Sequence, residues 1–177
     1  MSTDTDPEFL IDALAAHHDR TTFTRGVEPL DRYLHRQAGQ DHRRGAARAF
    51  VVVDPRTDRL AGFSTLSAAT VQPAGLPDAI AKRLPRYPTL PAILIGRLAV
   101  AIDVQGQHPG EHLALDALRR ALRATSQVAA VAILGDAKDD RAHRFDDRHG
   151  FLPCRDDPDR RFLPMGTVAG LFDPARP

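Results

Sequence analysis

The run Ala92-Ile-Leu-Ile-Gly-Arg-Leu-Ala-Val100 is almost wholly apolar. A strand of that composition suits a sheet covered by helices on both faces, and not the alternating strand of a one-sided sheet. It is therefore expected to be central. A polar loop, Asp103 to Pro109, follows it, and then a helix expected from about Gly110 to Ala124, with Leu115, Leu118 and Leu122 on one stripe. A second buried strand is expected over Ala129–Leu134. A helix over Asp139–His149 follows, stopped by Gly150. Strands starting at Phe151 and Arg161 and a short helix over Gly166–Phe172 complete the chain. Strand and helix in alternation require a mixed sheet packed by helices.

Upstream, residues 8–16 are ambiguous between strand and helix. Val27 to Arg44 reads as a helix, since Leu30, Leu34 and Ala38 fall at i, i+4 and i+8 and Gly45 supplies a stop. Ala49–Asp54 is a β-branched strand, Pro55–Arg59 a turn, and Leu60–Ala69 its hairpin partner. Leu76–Leu84 is expected as a short helix with proline at both ends. The 177 residues suit one domain of ordinary size, and no internal repeat or linker divides them. The reading is a single α/β domain over 1–177, with residues 1–20 as an N-terminal segment. One cysteine excludes an internal disulfide and fits a reducing compartment. No run reaches the roughly 18 apolar residues of a membrane span, and the polar N-terminus is unlike a signal peptide. A cytoplasmic site of action and no membrane contact are expected. The net charge of +1 excludes a histone-like basic protein.

Several residues are chemically suggestive. The loop before Gly110 can direct backbone N–H groups at a phosphate from a helix N-terminus. Arg36, Arg43 and Arg44 lie in a locally basic stretch, which is either a solvated helix face or a clamp for nucleic-acid phosphates. Arg97 interrupts the apolar strand, where an unpaired charge is costly; it either reaches a substrate phosphate or pairs with an aspartate. His108 and His112 have a metal-ligand spacing, but no further ligand accompanies them and no metal site is expected. Cys154 reads as a half-buried small residue.

The blocks Gly96-Arg-Leu-Ala-Val-Ala-Ile-Asp-Val-Gln-Gly-Gln107 and Asp139-Asp-Arg-Ala-His-Arg-Phe-Asp-Asp-Arg-His-Gly-Phe151 resemble the fourth strand with pyrophosphate loop and the late helix of GNAT acyltransferases. Phe23-Thr-Arg-Gly26, Leu30-Asp-Arg-Tyr-Leu34, Gln37-Ala-Gly-Gln-Asp41, Gly62-Phe-Ser-Thr-Leu-Ser-Ala68, Leu84-Pro-Arg-Tyr-Pro88 and Phe162-Leu-Pro-Met165 resemble the toxin subgroup of that family, from toxin–antitoxin pairs. The resemblance spans about residues 20–172. It implies a mixed sheet of about six to seven strands. It also implies transfer of an acetyl group from acetyl-CoA to the α-amine of an aminoacyl-tRNA, which blocks translation. A ribbon-helix-helix antitoxin and a homodimer are implied as partners. Acetyl-CoA contacts are implied at Leu98, Val100, Gln105, Gly106, Gln107, Gly110 and Phe145, and tRNA contacts at Arg36, Arg43, Arg44 and Arg97.

The sequence departs from the family pattern at two places. The family loop runs Gln/Arg-x-x-Gly-x-Gly/Ala, whereas here His108 stands for the first glycine and Pro109, which has no N–H, follows it. On the late helix, the family has a Phe-Tyr pair whose hydroxyl is placed to protonate the leaving thiolate. Here the pair is Phe145-Asp146, so Asp146 holds the catalytic position, and a carboxylate at neutral pH ordinarily accepts rather than donates. The only tyrosines are Tyr33 and Tyr87. The alternative to an acetyltransferase is thus a catalytically impaired GNAT scaffold that binds protein or RNA.

Overall fold

The computed structural model describes residues 9–104, 108–136 and 140–175, without the side chains of 140–143 and 145. Its strands are β1 (Leu10–Ala13), β2 (Arg48–Asp54), β3 (Arg59–Val71), β4 (Leu90–Val100), β5 (Ala132–Asp136), β6 (Leu152–Pro153) and β7 (Arg160–Pro164). Its helices are α1 (Glu28–Arg32), α2 (Ala38–Arg44), α3 (Asp78–Ala81), α4 (Pro109–Ala124), α5 (Asp140–His149) and α6 (Met165–Leu171). The strands form one seven-stranded sheet in the order β1-β2-β3-β4-β5-β7-β6. β4 pairs with β5 in parallel, while the pairs β1–β2, β5–β7 and β6–β7 are antiparallel. This is the mixed sheet expected from the alternating second half of the sequence.

The chain divides into two compact units, Met1–Thr65 with Arg97–Asp116, and Leu66–Gly96 with Ala117–Pro177. The first has a core that includes Phe23, Leu34, Val51, Val52, Phe63 and Leu113. The second has its own, built on Val71, Leu76, Leu90, Ala92, Leu134 and Phe162.

In the first unit, the ambiguous N-terminal segment is a strand, with Leu10 opposite Val53 and Ala13 opposite Phe50. The expected helix over Val27–Arg44 runs from Glu28 to Arg44, but its middle turn, Tyr33–Gln37, is π-helical. Leu34 and Ala38 are buried as their spacing requires, and Gly45 ends the helix in the left-handed conformation (φ 75°). The β2–β3 turn is tied by Asp54, whose buried carboxylate accepts the Arg56 backbone N–H at 2.9 Å and the Arg56 guanidinium at 3.2 Å. The bonds from the Arg56 side chain hold Asp54 below the usual carboxylate range, against the opposing pull of burial. β3 and β4 approach closely at Gly62, where a Cβ would lie 2.8 Å from the Ala99 carbonyl oxygen.

Four expectations need correction. β4 is central in order, yet it is not covered along both faces: Gly96 is exposed and Leu98 is 38% exposed. Two-sided burial does not extend through the half of the strand that carries the charge of Arg97. The buried face of α4 is Leu113, Ala114, Ala117, Leu118 and Ala121, while Leu115 and Leu122 are half-buried. Alanines carry much of this face because a methyl group lets a helix pack closely, a signal that a leucine count misses. The short helix expected over Leu76–Leu84 is reduced to α3. Arg83 and Leu84 donate only to carbonyls three residues back, and Pro85 disfavours helical backbone before it. β5 begins at Ala132 rather than Ala129, since alanines are weak strand formers and register starts only where Val131 N–H donates to the Pro91 carbonyl at 2.9 Å.

Candidate functional site

The first unit takes the end of β4 from Arg97 and the first half of α4 to Asp116. Leu98 and Val100 lie at the end of β4, with Val100 half-buried. Gly110, the second residue of α4, lies against Val100, and a Cβ there would meet Val100 Cγ2 at 3.1 Å. The structure thus brings Val100 and Gly110 together, and a larger residue at 110 would press on the strand. Gln105, Gly106 and Gln107 lie outside the described residues. His108 is exposed and has φ 59°, in the left-handed region. That region costs an L-residue roughly 1–2 kcal/mol, and a following proline itself favours extended backbone. The backbone at 108 therefore keeps a conformation that suits glycine although the side chain is an imidazole. Pro109 is buried at the first position of α4, where a missing N–H breaks no helical bond.

Among the described residues Arg97 reaches no aspartate, yet it does not stand alone. Its guanidinium lies 3.6 Å from the centroid of the Tyr33 ring, a cation–π contact. That ring stacks on Phe63 at 6.2 Å, and Phe63 meets Phe23 edge-on at 5.6 Å. The Tyr33 hydroxyl donates to Asp41 Oδ2 at 3.1 Å, and Gln37 Nε2 donates to Asp41 Oδ1 at 2.8 Å. Burial, the bond to Asp41 and its negative charge push the Tyr33 phenol up to about 12, partly offset by Arg97. His35 and the Phe23 carbonyl share a hydrogen bond of 2.8 Å, which fixes the π-helical turn to the preceding loop. Sequence reasoning missed this network, although Tyr33, Gln37 and Asp41 recur at intervals of four, the spacing of helix neighbours. Arg36, Arg43 and Arg44 are exposed on the same helical segment.

In the second unit, Asp146 is half-buried on α5, and the Phe145 side chain lies outside the description. Phe151 N–H donates to the Asp146 carbonyl at 2.9 Å, and Gly150, at φ 85°, closes the helix. The neighbouring Asp147 accepts from the buried Arg161 at 3.3 Å. Tyr87 is 65% exposed. Burial pushes the Cys154 thiol up, which keeps it protonated and unsuited to nucleophilic attack. His112 is exposed, and among the described residues no cluster of three metal-ligating side chains forms. No helix among them is long and apolar enough to cross a membrane.

No family model matches the chain. A tRNA-acetylating toxin of Mycobacterium tuberculosis is 34% identical over 154 residues, covering 87% of this chain and 90% of that protein. Among solved structures, AtaT complexed with acetyl-methionyl-tRNAfMet superposes with a TM-score of 0.85 at 26% identity, over 94% of this chain and 100% of that one. AtaTR bound with acetyl-CoA superposes with a TM-score of 0.79 at 26% identity, over 93% and 98%.

Proposed function

The chain belongs to the tRNA-acetylating toxins of the GNAT fold, and from that premise we propose that it transfers an acetyl group from acetyl-CoA to the α-amine of an aminoacyl-tRNA in the cytoplasm. Translation then lacks the free amine it extends. In the step itself the amine nitrogen bonds to the acetyl carbonyl carbon, the carbon–sulfur bond breaks, the thiolate takes up a proton and the new amide nitrogen loses one. The observation that carries this reading is the left-handed backbone of His108 immediately before α4. It supports a pyrophosphate loop that has lost its glycine at 108 but keeps a glycine-like backbone at that position. Leu98, Val100, Gln105, Gly106, Gln107, Gly110 and Phe145 are then assigned to acetyl-CoA. Arg36, Arg43 and Arg44 are assigned to tRNA phosphates, while Arg97 acts through Tyr33. β3 and β4 each contribute residues to both units, which supports treating 1–177 as one domain. A ribbon-helix-helix antitoxin is the expected protein partner.

Asp146 favours a second reading, a scaffold that keeps its ligands but turns over slowly, because it stands where the family resemblance puts a proton-donating tyrosine. Calorimetric titration with acetyl-CoA, followed by transfer of labelled acetyl to charged tRNA, separates the two. Micromolar binding with transfer is expected. Binding without transfer, restored by Asp146→Tyr, would establish the second reading. No binding at millimolar acetyl-CoA, a loss of about 4 kcal/mol against micromolar, would refute the loop argument and the first reading together.

A further inference from the structure

Gly39 is buried on α2, and a Cβ built on it would lie 2.7 Å from Arg20 Nη1 and 3.3 Å from Arg43 Nη1. The two guanidinium groups meet over bare backbone, with these nitrogens within about 6 Å of each other, a spacing at which like charges repel. Arg20, half-buried, comes from the loop before α1, and Arg43 lies one turn beyond Gly39. Among the described residues neither guanidinium has a carboxylate at ion-pair distance. The acids nearest in sequence are engaged: Asp41 accepts from Tyr33 and Gln37, and Asp19 from Thr21.

We propose that Arg20 and Arg43 form a phosphate clamp for the RNA backbone, with Gly39 as its floor. An oxyanion between two guanidinium forks relieves their repulsion and matches their donor geometry. Arg36 and Arg44 extend the charge along the same segment, which favours a polynucleotide over a lone anion. The absent side chain at 39 is what lets Arg20 lie across the helix. The clamp rests on the proposed function for the identity of its ligand, and it adds Arg20 and Gly39 to the residues that serve it.

The test is tRNA affinity over a salt series for the full chain, with acetylation kinetics on the same variants. Arg20→Ala is expected to weaken binding about tenfold at low salt and to lower the slope of log Kd against log salt by about one. The loss should be equal for charged and uncharged tRNA and should appear in KM with kcat kept. Arg20→Lys should keep the salt slope and lose part of the affinity, because a point charge replaces a fork. Gly39→Ala keeps the chain folded, since alanine favours helix over glycine, yet displaces Arg20 and weakens binding. Wild-type affinity and slope in both Arg20→Ala and Gly39→Ala, in a wild type that acetylates tRNA, would overturn the clamp alone. A folded wild type that does not bind tRNA would overturn the clamp and the proposed function together.

Discussion

Replacing His108 by glycine should stabilise the protein, although it removes a side chain. His108 sits at φ 59°. Left-handed backbone costs an L-residue roughly 1–2 kcal/mol. Glycine removes that cost but gives the unfolded chain more freedom, worth about 0.5–1 kcal/mol. The net gain lies between about 0 and 1.5 kcal/mol, with a middle value of about 0.8 kcal/mol or roughly 2–3 °C in Tm for a chain of this size. The imidazole is exposed, so no packing is lost with it. Alanine is the control: it discards the ring but keeps a Cβ, so His108→Ala should stay within about 0.5 kcal/mol of wild type. Urea unfolding of the three proteins, with equal m-values, measures the difference. His108→Gly no more stable than His108→Ala would refute the argument, because the backbone at 108 would then not be strained.

Three further outcomes follow from the same geometry. Asp54 is held below the usual range, so its contribution to stability is present above the unfolded value of 3.8 and is lost as pH falls through the folded value. Acid unfolding below about pH 4 should accordingly be shallower in Asp54→Asn when followed by circular dichroism. Tyr33→Phe should cost about 1 kcal/mol in thermal or urea melts by removing the donor to Asp41, and it should abolish the phenol ionisation at about 12 in an ultraviolet titration. On α4, Ala117→Leu should destabilise by about 1–3 kcal/mol through overpacking. Leu122→Ala should cost less than the roughly 2–5 kcal/mol of a fully buried leucine, and calorimetric melts rank the two.

The elements were readable where periodicity and punctuation agreed. Leu30, Leu34 and Ala38 with Gly45 marked one helix, and the β-branched run to Asp54 marked one strand. Propensity could not show the π-helical turn at Tyr33–Gln37, because a π turn is built from the same residue types as an α turn. A leucine pattern misplaces the α4 face because alanines carry much of it, and it overextends α3 because Pro85 also disfavours helical backbone in the residue before it. At the site, the sequence marked His108 as a departure but not its left-handed backbone. It marked Arg97 as a charge needing a partner but not that the partner is an aromatic face. Arg20 gave no signal, since its contact with Gly39 joins a loop to a helix nineteen residues away.

Gly62 bears on how variants of such a protein can be sorted. Under the proposed function, cells expressing the active chain stop growing, so selecting survivors collects lesions of folding and of catalysis without distinction. A Cβ at position 62 would lie 2.8 Å from the Ala99 carbonyl oxygen, and that atom is backbone that cannot rotate aside. Survivors mutated there report the frequency of misfolding. Survivor frequencies at Arg20, His108 and Asp146 can then be compared with that internal standard, so that a genetic screen distinguishes a broken scaffold from an impaired acetyl transfer.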